Sequence, residues 1–187
     1  MIQTLTDKLK NELSPKRLAH SIGVSQTATR LAKLYGADVQ KAEIAGLMHD
    51  CAREMPKNIL LKIIQSSGIV VDDVELCQPA LLHARAGAVV VKRDYAIDDQ
   101  EICQAISCHT VGGPQMTLLD KVIFLADCIE PGRKYPGVDK LRQSAKENLD
   151  KALLAAYDHT IGYLIAGQGL IHPAAVAGRN ALLMKML

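Results

Sequence analysis

Apolar residues recur every three or four positions along almost the whole chain, which is the spacing that places side chains on one face of an α-helix. In the first third of the chain this pattern predicts three consecutive helices, over about 14–36, 38–51 and 56–68. Ser14-Pro15 suits the start of the first helix, because serine caps a helix and proline needs no partner for its missing N–H there. Gly36 suits the end of that helix.

The remainder of the chain is also predicted to be helical. Five further helices are expected. The first begins at Pro79, the second covers about 98–109, and the third runs from Thr117 through Asp127. The fourth covers about 138–167, with a possible break near Leu149, and the fifth covers about 173–187. The helix predicted from Thr117 through Asp127 begins with Thr117-x-x-Asp120, which resembles a capping box. The β-branched runs 69–71 and 88–91 do not predict strands, because one is too short and the other continues a helical pattern.

Length and composition indicate one domain with an aliphatic core. The chain has 187 residues, of which 49% are hydrophobic, and we find no linker, repeat or low-complexity segment. Aromatic residues make up only 3%, with no Trp and a single Phe, so Leu, Ile, Val, Ala and Met must fill the core. The expected fold class is therefore all-α, as a single domain over residues 1–187.

Charge and aromatic content argue against a nucleic-acid partner. The net charge of +2 is nearly neutral, and no basic stripe is evident along the chain. Few aromatic side chains are available to stack on bases. A nucleic-acid partner is therefore not expected.

The sequence also predicts a cytoplasmic protein without a membrane partner. No stretch approaches the roughly 18 apolar residues of a membrane span, and the N-terminal segment does not have the pattern of a signal peptide. The five cysteines are odd in number and none has Cys-x-x-Cys spacing, so we expect reduced thiols rather than disulfides or a cysteine zinc site.

The strongest local signal for chemistry is the pair His49-Asp50, at the end of an apolar helical segment. An aspartate in such surroundings needs a partner, because burial of an unpaired charge is costly. A metal ion is one suitable partner, although a His-Asp pair alone is weak evidence.

Four more polar residues lie in apolar helical surroundings, namely His20, His83, His109 and Asp127. Each has an ordinary structural explanation: a buried imidazole can bond a backbone carbonyl, and Asp127 can pair with an arginine. Together with His49-Asp50, however, they indicate a metal cluster in one core. Imidazole and carboxylate ligands suit Fe, Mn, Co, Ni or Zn, and an aspartate can bridge two ions about 3.5–4 Å apart.

Candidate substrate contacts lie next to these residues in the sequence. Arg17 precedes His20 by nearly one helical turn, Arg53 follows the His-Asp pair, and Arg133 follows the Asp127 helix. Arginines bind phosphate oxygens through paired hydrogen bonds. Thr110 and the amide of Gly112 are weaker candidates, since glycine allows close backbone approach.

The order of these residues resembles the HD superfamily of metal-dependent phosphohydrolases, and in particular its YqeK branch. The similarity covers roughly the whole chain and is carried by the segments Leu18–Val24, Glu54–Lys57, Ile106–Thr110, Leu118–Lys121 and Ala126–Arg133. The run Ile129-Glu130-Pro131-Gly132-Arg133 is its most specific part. The resemblance implies a single HD-type helical bundle, with a metal-binding core over about 14–134 and C-terminal helices over 138–187.

The same resemblance implies a function, which is symmetrical hydrolysis of diadenosine tetraphosphate to two ADP by a metal-bound hydroxide. It implies one or two divalent ions, with iron expected first, and often a homodimer. The implied ligands of the first ion are His20, His49, Asp50 and Asp127. Asp50 would bridge to a second ion completed by His83 and His109, and the catalytic residues would be Asp50, His49, His83 and His109.

Two alternatives remain open from the sequence. Arg53, Ala84, Gly113 and Cys128 depart from the branch's usual residues, and the departures at Arg53 and Gly113 motivate a site that acts on nucleoside mono-, di- or triphosphates instead. A non-catalytic nucleotide sensor belongs to a different class, and the presence of all six candidate ligands argues against it.

Overall fold

The computed structural model describes residues 1–187 and contains eleven α-helices and no strand, so the predicted all-α class is confirmed. A single 3₁₀ turn, Pro79–Leu81, precedes the sixth helix. The helices are α1 (Ile2–Leu9), α2 (Pro15–Tyr35), α3 (Val39–Met48), α4 (Lys57–Ser66), α5 (Asp73–Cys77), α6 (Leu82–Tyr95), α7 (Gln100–Cys108), α8 (Leu118–Ile129), α9 (Val138–Glu147), α10 (Leu149–Ala166) and α11 (Pro173–Met184). None of them is both long and apolar enough to cross a membrane.

Helices α2, α3, α7 and α8 pack against one another at the centre of the fold. α6 lies between α7 and α4, while α10 packs on α8 and α9 and carries α11. The core is mainly aliphatic, as the composition predicted, and its cysteines are free thiols. At Gly46 a Cβ atom would lie 2.8 Å from the Cα of Ser25, so only glycine lets α3 approach α2 this closely.

Three predicted helix ends are confirmed by their capping geometry. Ser14 Oγ accepts the Arg17 amide at the start of α2, and Gly36 ends that helix with a φ of 77°. Thr117 and Asp120 form both hydrogen bonds of the predicted capping box at the start of α8. These local signals identify helix ends because the capping side chains satisfy amides that the helix itself leaves free.

The structure also differs from the predicted elements. Two helices, α1 and α5, were not predicted, and the helix expected to reach residue 51 ends at Met48. The long helix expected over 138–167 is interrupted at Asn148, whose side chain caps α10. A 3₁₀ turn, rather than an α-helix, begins at Pro79.

Candidate metal centre

The six candidate ligands converge from five helices. His49 ends α3, Asp50 directly follows it, and His109 ends α7. His20 lies within α2, His83 near the start of α6 and Asp127 near the end of α8. Residues far apart in the sequence are thus brought to one buried cluster.

The two carboxylate oxygens of Asp50 face different pairs of histidines. Oδ2 lies 3.6 Å from His20 Nε2 and 3.4 Å from His49 Nε2. Oδ1 lies 3.0 Å from His83 Nε2 and 3.7 Å from His109 Nε2. Asp50 would therefore offer one oxygen to an ion held with His20 and His49 and the other to an ion held with His83 and His109.

Asp127 adds a second carboxylate beside the His20–His49 pair. Its Oδ1 lies 3.0 Å from His20 Nε2 and 3.9 Å from His49 Nε2. The donor atoms fall into groups close enough to hold an ion, among them His20–His49–Asp50 and Asp50–His83–His109. Each half of the cluster therefore offers imidazole nitrogen and carboxylate oxygen together.

The hydrogen bonds behind the histidines set their tautomers. The Nδ1 atoms of His49 and His109 lie 2.8 and 2.7 Å from the carbonyl oxygens of Gly46 and Ile106, and that of His83 faces the Ala80 carbonyl. Since a carbonyl only accepts, each Nδ1 must carry the proton, which leaves Nε2 as a bare lone pair. Burial lowers the pKa of His83 and thereby favours its neutral form.

The resulting arrangement fits a metal centre because it brings lone pairs together. His20 Nε2 lies 3.2 Å from His49 Nε2, and His83 Nε2 lies 3.1 Å from His109 Nε2. Unprotonated nitrogens at this distance, facing two carboxylates, repel one another unless a cation lies among them. Imidazole and carboxylate donors of this kind suit a divalent transition metal.

The carboxylates of the centre are held in their charged form. Burial by itself raises the pKa of Asp50, but the positive charge of the neighbouring imidazoles when they are protonated, that of His49 first, outweighs it and holds that pKa far below its usual range. A bound cation takes over this role when the imidazoles are neutral. Asp127 shows the same balance, because contacts with His20, His49 and Arg133 overcome the effect of burial on its pKa. Both groups are thus ready to bind a cation.

Two of the predicted arginines contact these carboxylates directly. Arg17 Nη1 donates to Asp50 Oδ2 at 2.7 Å, and Arg133 donates to both the carboxylate and, at 2.7 Å, the carbonyl of Asp127. Asp127 therefore contacts the histidines and an arginine at once, which combines the two interpretations considered from the sequence. Arg53 lies slightly farther out, where it donates to the Ala80 carbonyl at 3.0 Å, close to His83.

A cavity of about 340 Å³ opens onto the cluster. Its lining includes all three predicted arginines and Thr110, together with candidate ligands from both halves of the centre. Gly112 does not line it. Instead Gly112 is buried, with a φ of 64°, and packs against the hydroxyl of Tyr157, which the amide of neighbouring Gly113 contacts at 3.2 Å.

Three residues at the site were not assigned from the sequence. Tyr135 and His159 stack with ring centroids 4.5 Å apart on the cavity wall. The buried carboxylate of Glu130 lies 3.1 Å from His20 Nδ1. Glu130 belongs to the most specific motif of the chain, which was the available signal, whereas no local pattern points to the Tyr135–His159 pair. His172 lies elsewhere, capping α11 and pairing with Asp72 at 2.6 Å.

Comparison with known proteins agrees with this geometry. The HD domain family model matches residues 17–132, which include every residue of the cluster. A protein of Halalkalibacterium halodurans named bis(5'-nucleosyl)-tetraphosphatase, symmetrical, is 43% identical over 95% of this chain and 94% of its own. A Bacillus subtilis protein of the same name is 40% identical over 88% of each chain.

Similarity to a solved structure extends over nearly the whole fold. A crystal structure from Clostridium acetobutylicum, described as a predicted HD superfamily hydrolase involved in NAD metabolism, superposes with a TM-score of 0.96 at 43% identity. It is matched over 99% of this chain and 98% of that one. The chain therefore belongs to the HD domain family of hydrolases, within the branch whose curated members are named symmetrical bis(5'-nucleosyl)-tetraphosphatases.

Proposed function

We propose that this protein hydrolyses dinucleoside tetraphosphates symmetrically, splitting diadenosine tetraphosphate into two molecules of ADP. The observation that carries the proposal is the pairing of a complete His/Asp cluster with guanidinium groups in one cavity. Relatives of similar length that bear the symmetrical tetraphosphatase name support the same substrate.

The cavity supplies positive charge where a polyphosphate needs it. Arg17 and Arg133 are held against the cluster by Asp50 and Asp127, so their remaining N–H groups point to the same space as the candidate ligands. Arg53 adds a third guanidinium beside His83. Guanidinium groups bind phosphate oxygens in pairs and offset the negative charge that builds up on them during phosphoryl transfer.

We assign the metal to His20, His49, Asp50 and Asp127 on one side of the centre and to Asp50, His83 and His109 on the other. A divalent metal bound there supplies Lewis acidity and activates water as a nucleophile. The protein orients this chemistry through the backbone carbonyls behind three of the imidazoles, which fix the rings, and through Asp50, which is shared by both halves. Asp50, His49, His83 and His109 are the residues we assign to catalysis.

The leaving nucleoside diphosphate does not need to be protonated by an acid catalyst. Cleavage at the central anhydride releases a nucleoside diphosphate, whose terminal phosphate has a second pKa of about 6. It can therefore depart as an anion near neutral pH, with Arg17 and Arg133 balancing its charge. The thiol of Cys128 lines the cavity but does not serve as a base, because burial raises its pKa to about 12.

Product identity tests the proposal. The metal-reconstituted protein is incubated with diadenosine tetraphosphate, and the products are separated by ion-exchange chromatography. We expect ADP alone, and no turnover in Asp50→Ala, which removes the shared carboxylate. AMP with ATP would contradict symmetrical cleavage. Faster hydrolysis of mono-, di- or triphosphates at equal concentration would favour the alternative substrate class, and binding without turnover would favour a sensor.

Three further properties are part of the proposal. We propose iron as the resident metal, with Mn, Co, Ni or Zn as alternatives, since the donor set accepts all of them. A cytoplasmic location is consistent with five free cysteines. A homodimer is supported by apolar side chains exposed on α10 and α11, including Tyr163 and Ile165.

A further inference from the structure

A second cavity, of about 540 Å³, adjoins the metal centre along α2. It is lined by one face of α2, where Ala19, Ile22 and Gln26 are spaced by three and four residues, and by the segment 130–133. His20 also lines it, so this cavity reaches the cluster at the His20 ring.

Arg17 and Arg133 line both cavities and so mark the boundary between them. Each guanidinium is anchored to a carboxylate of the cluster, Arg17 to Asp50 and Arg133 to Asp127. A phosphate chain that lies across the metal centre therefore meets these two arginines at its middle and extends into one cavity at each end.

The sizes of the cavities match half of the proposed substrate better than the whole. Ligand pockets typically measure about 300–1,000 Å³, and the first cavity, at about 340 Å³, is at the lower end of that range. Symmetrical cleavage needs the central anhydride at the cluster, which leaves a nucleoside and two phosphates on each side. One cavity alone accounts for only one of these halves.

We propose that the second cavity binds the other nucleoside diphosphate half of the substrate, so that the tetraphosphate spans both cavities. This inference rests on the proposed function. Lys16 supplies a cation for the phosphates at the mouth of the second cavity, and Gln26 offers an amide for hydrogen bonds to ribose or base. Ile22 and Pro131 provide apolar surface for the face of the base.

The two cavities are chemically unequal. The first contains the aromatic rings of Phe124, Tyr135 and His159, whereas the only aromatic ring in the lining of the second is the imidazole of His20, a candidate ligand. Stacking on an aromatic ring stabilises a bound base. The first cavity is therefore the tighter site for a single nucleotide, and the second is the weaker one that distinguishes a dinucleotide from a mononucleotide.

Substitutions that fill the second cavity, or that remove a polar group from it, test this assignment in the Mn²⁺-loaded, full-length protein. Ala19→Leu adds bulk to the cavity, and Gln26→Leu removes its amide. We expect the KM for diadenosine tetraphosphate to rise about tenfold in Ala19→Leu. The Ki of adenosine 5'-tetraphosphate, which has the same phosphate chain but only one nucleoside, should stay within about twofold. Gln40→Leu, at an exposed position of α3, is the matched control for Gln26→Leu.

If the KM for diadenosine tetraphosphate and the Ki of adenosine 5'-tetraphosphate rose by the same factor, the substitutions would be acting through His20 or the fold, and the inference would be overturned. An unchanged KM would overturn it as well. Binding of ADP gives an independent reading. We expect two ADP per chain in the wild-type protein and one in Ala19→Leu, and a single site in the wild type overturns the inference. If two ADP bind but diadenosine tetraphosphate is not cleaved to ADP, the proposed function fails while the second site stands.

Discussion

The carboxylate of Glu130 shows how much of the site depends on residues that do not face the metal. Its Oε1 lies 3.1 Å from His20 Nδ1, and its Oε2 accepts the Gly132 amide at 2.5 Å. A Cβ atom at Gly23 or Gly132 would lie 2.7 or 2.8 Å from these oxygens, so both glycines are needed to leave room for the carboxylate. Glu130 thus fixes the His20 ring with its Nε2 lone pair towards the cluster.

Glu130→Gln keeps the size of this side chain but removes its charge. A carboxylate behind a metal-binding imidazole makes the ring a better ligand, and loss of such a partner typically weakens metal binding by about 10- to 100-fold. We expect a loss of that size in Mn²⁺ affinity, measured by isothermal titration calorimetry on the metal-free protein. Glu147→Gln, on the exposed side of α9, is the control and should bind as the wild type does. An unchanged affinity in Glu130→Gln would refute the positioning role.

At the scale of elements, the start of α8 combines a helix cap with a buried charge. Asp120 Oδ2 accepts the Thr117 amide at 2.8 Å, but Oδ1 is buried without a hydrogen-bond partner. Burial raises the pKa of this carboxyl above its ordinary value of 3.8, against the opposing effect of Thr117. The folded state therefore binds this proton more tightly than the unfolded chain does.

The sign of the pH dependence follows from that difference. Between 3.8 and the higher pKa of the folded state, the native protein holds more protons, so stability falls as pH rises through this window. Asp120→Asn cannot ionise, so we expect its free energy of unfolding to rise relative to that of the wild type as pH increases from about 4, until the higher pKa of the folded state is passed. Urea denaturation of both proteins across this range measures the difference, with Asp73→Asn at the exposed start of α5 as control. A difference that does not change with pH would contradict the assignment.

Local signals predicted the elements of the core better than the contacts between them. Ser14, Gly36 and Thr117 correctly predicted helix ends, because a helix cap depends only on residues that are close together in the sequence. The five-residue helix α5 escaped prediction because it is too short to show a hydrophobic period. The stack of Tyr135 on His159 depends on how the loop before α9 packs on α10, and a contact of that kind produces no periodic pattern in the sequence.

At the scale of the whole molecule, the end of α10 projects from the domain. Tyr163 is 75% exposed and Ile165 is 62% exposed, and two positions apart on a helix they face nearly opposite directions. Leu170, in the loop after α10, and Val176, near the start of α11, are also exposed. A helix that is apolar on all sides is normally buried, so this end of the molecule has the character of an interface.

We expect the wild-type protein to be a homodimer in solution through this surface. The double substitution Tyr163→Lys/Ile165→Lys places charges on both faces of the projecting turn, and burying those charges against a second copy would be costly. Light scattering coupled to size exclusion should therefore show a dimer for the wild type and a monomer for the variant. Circular dichroism checks that the variant keeps its helices. Since neither residue lines the cavities at the metal centre, its Mn²⁺ affinity should be unchanged. A monomeric wild type would show instead that this surface serves another partner or none.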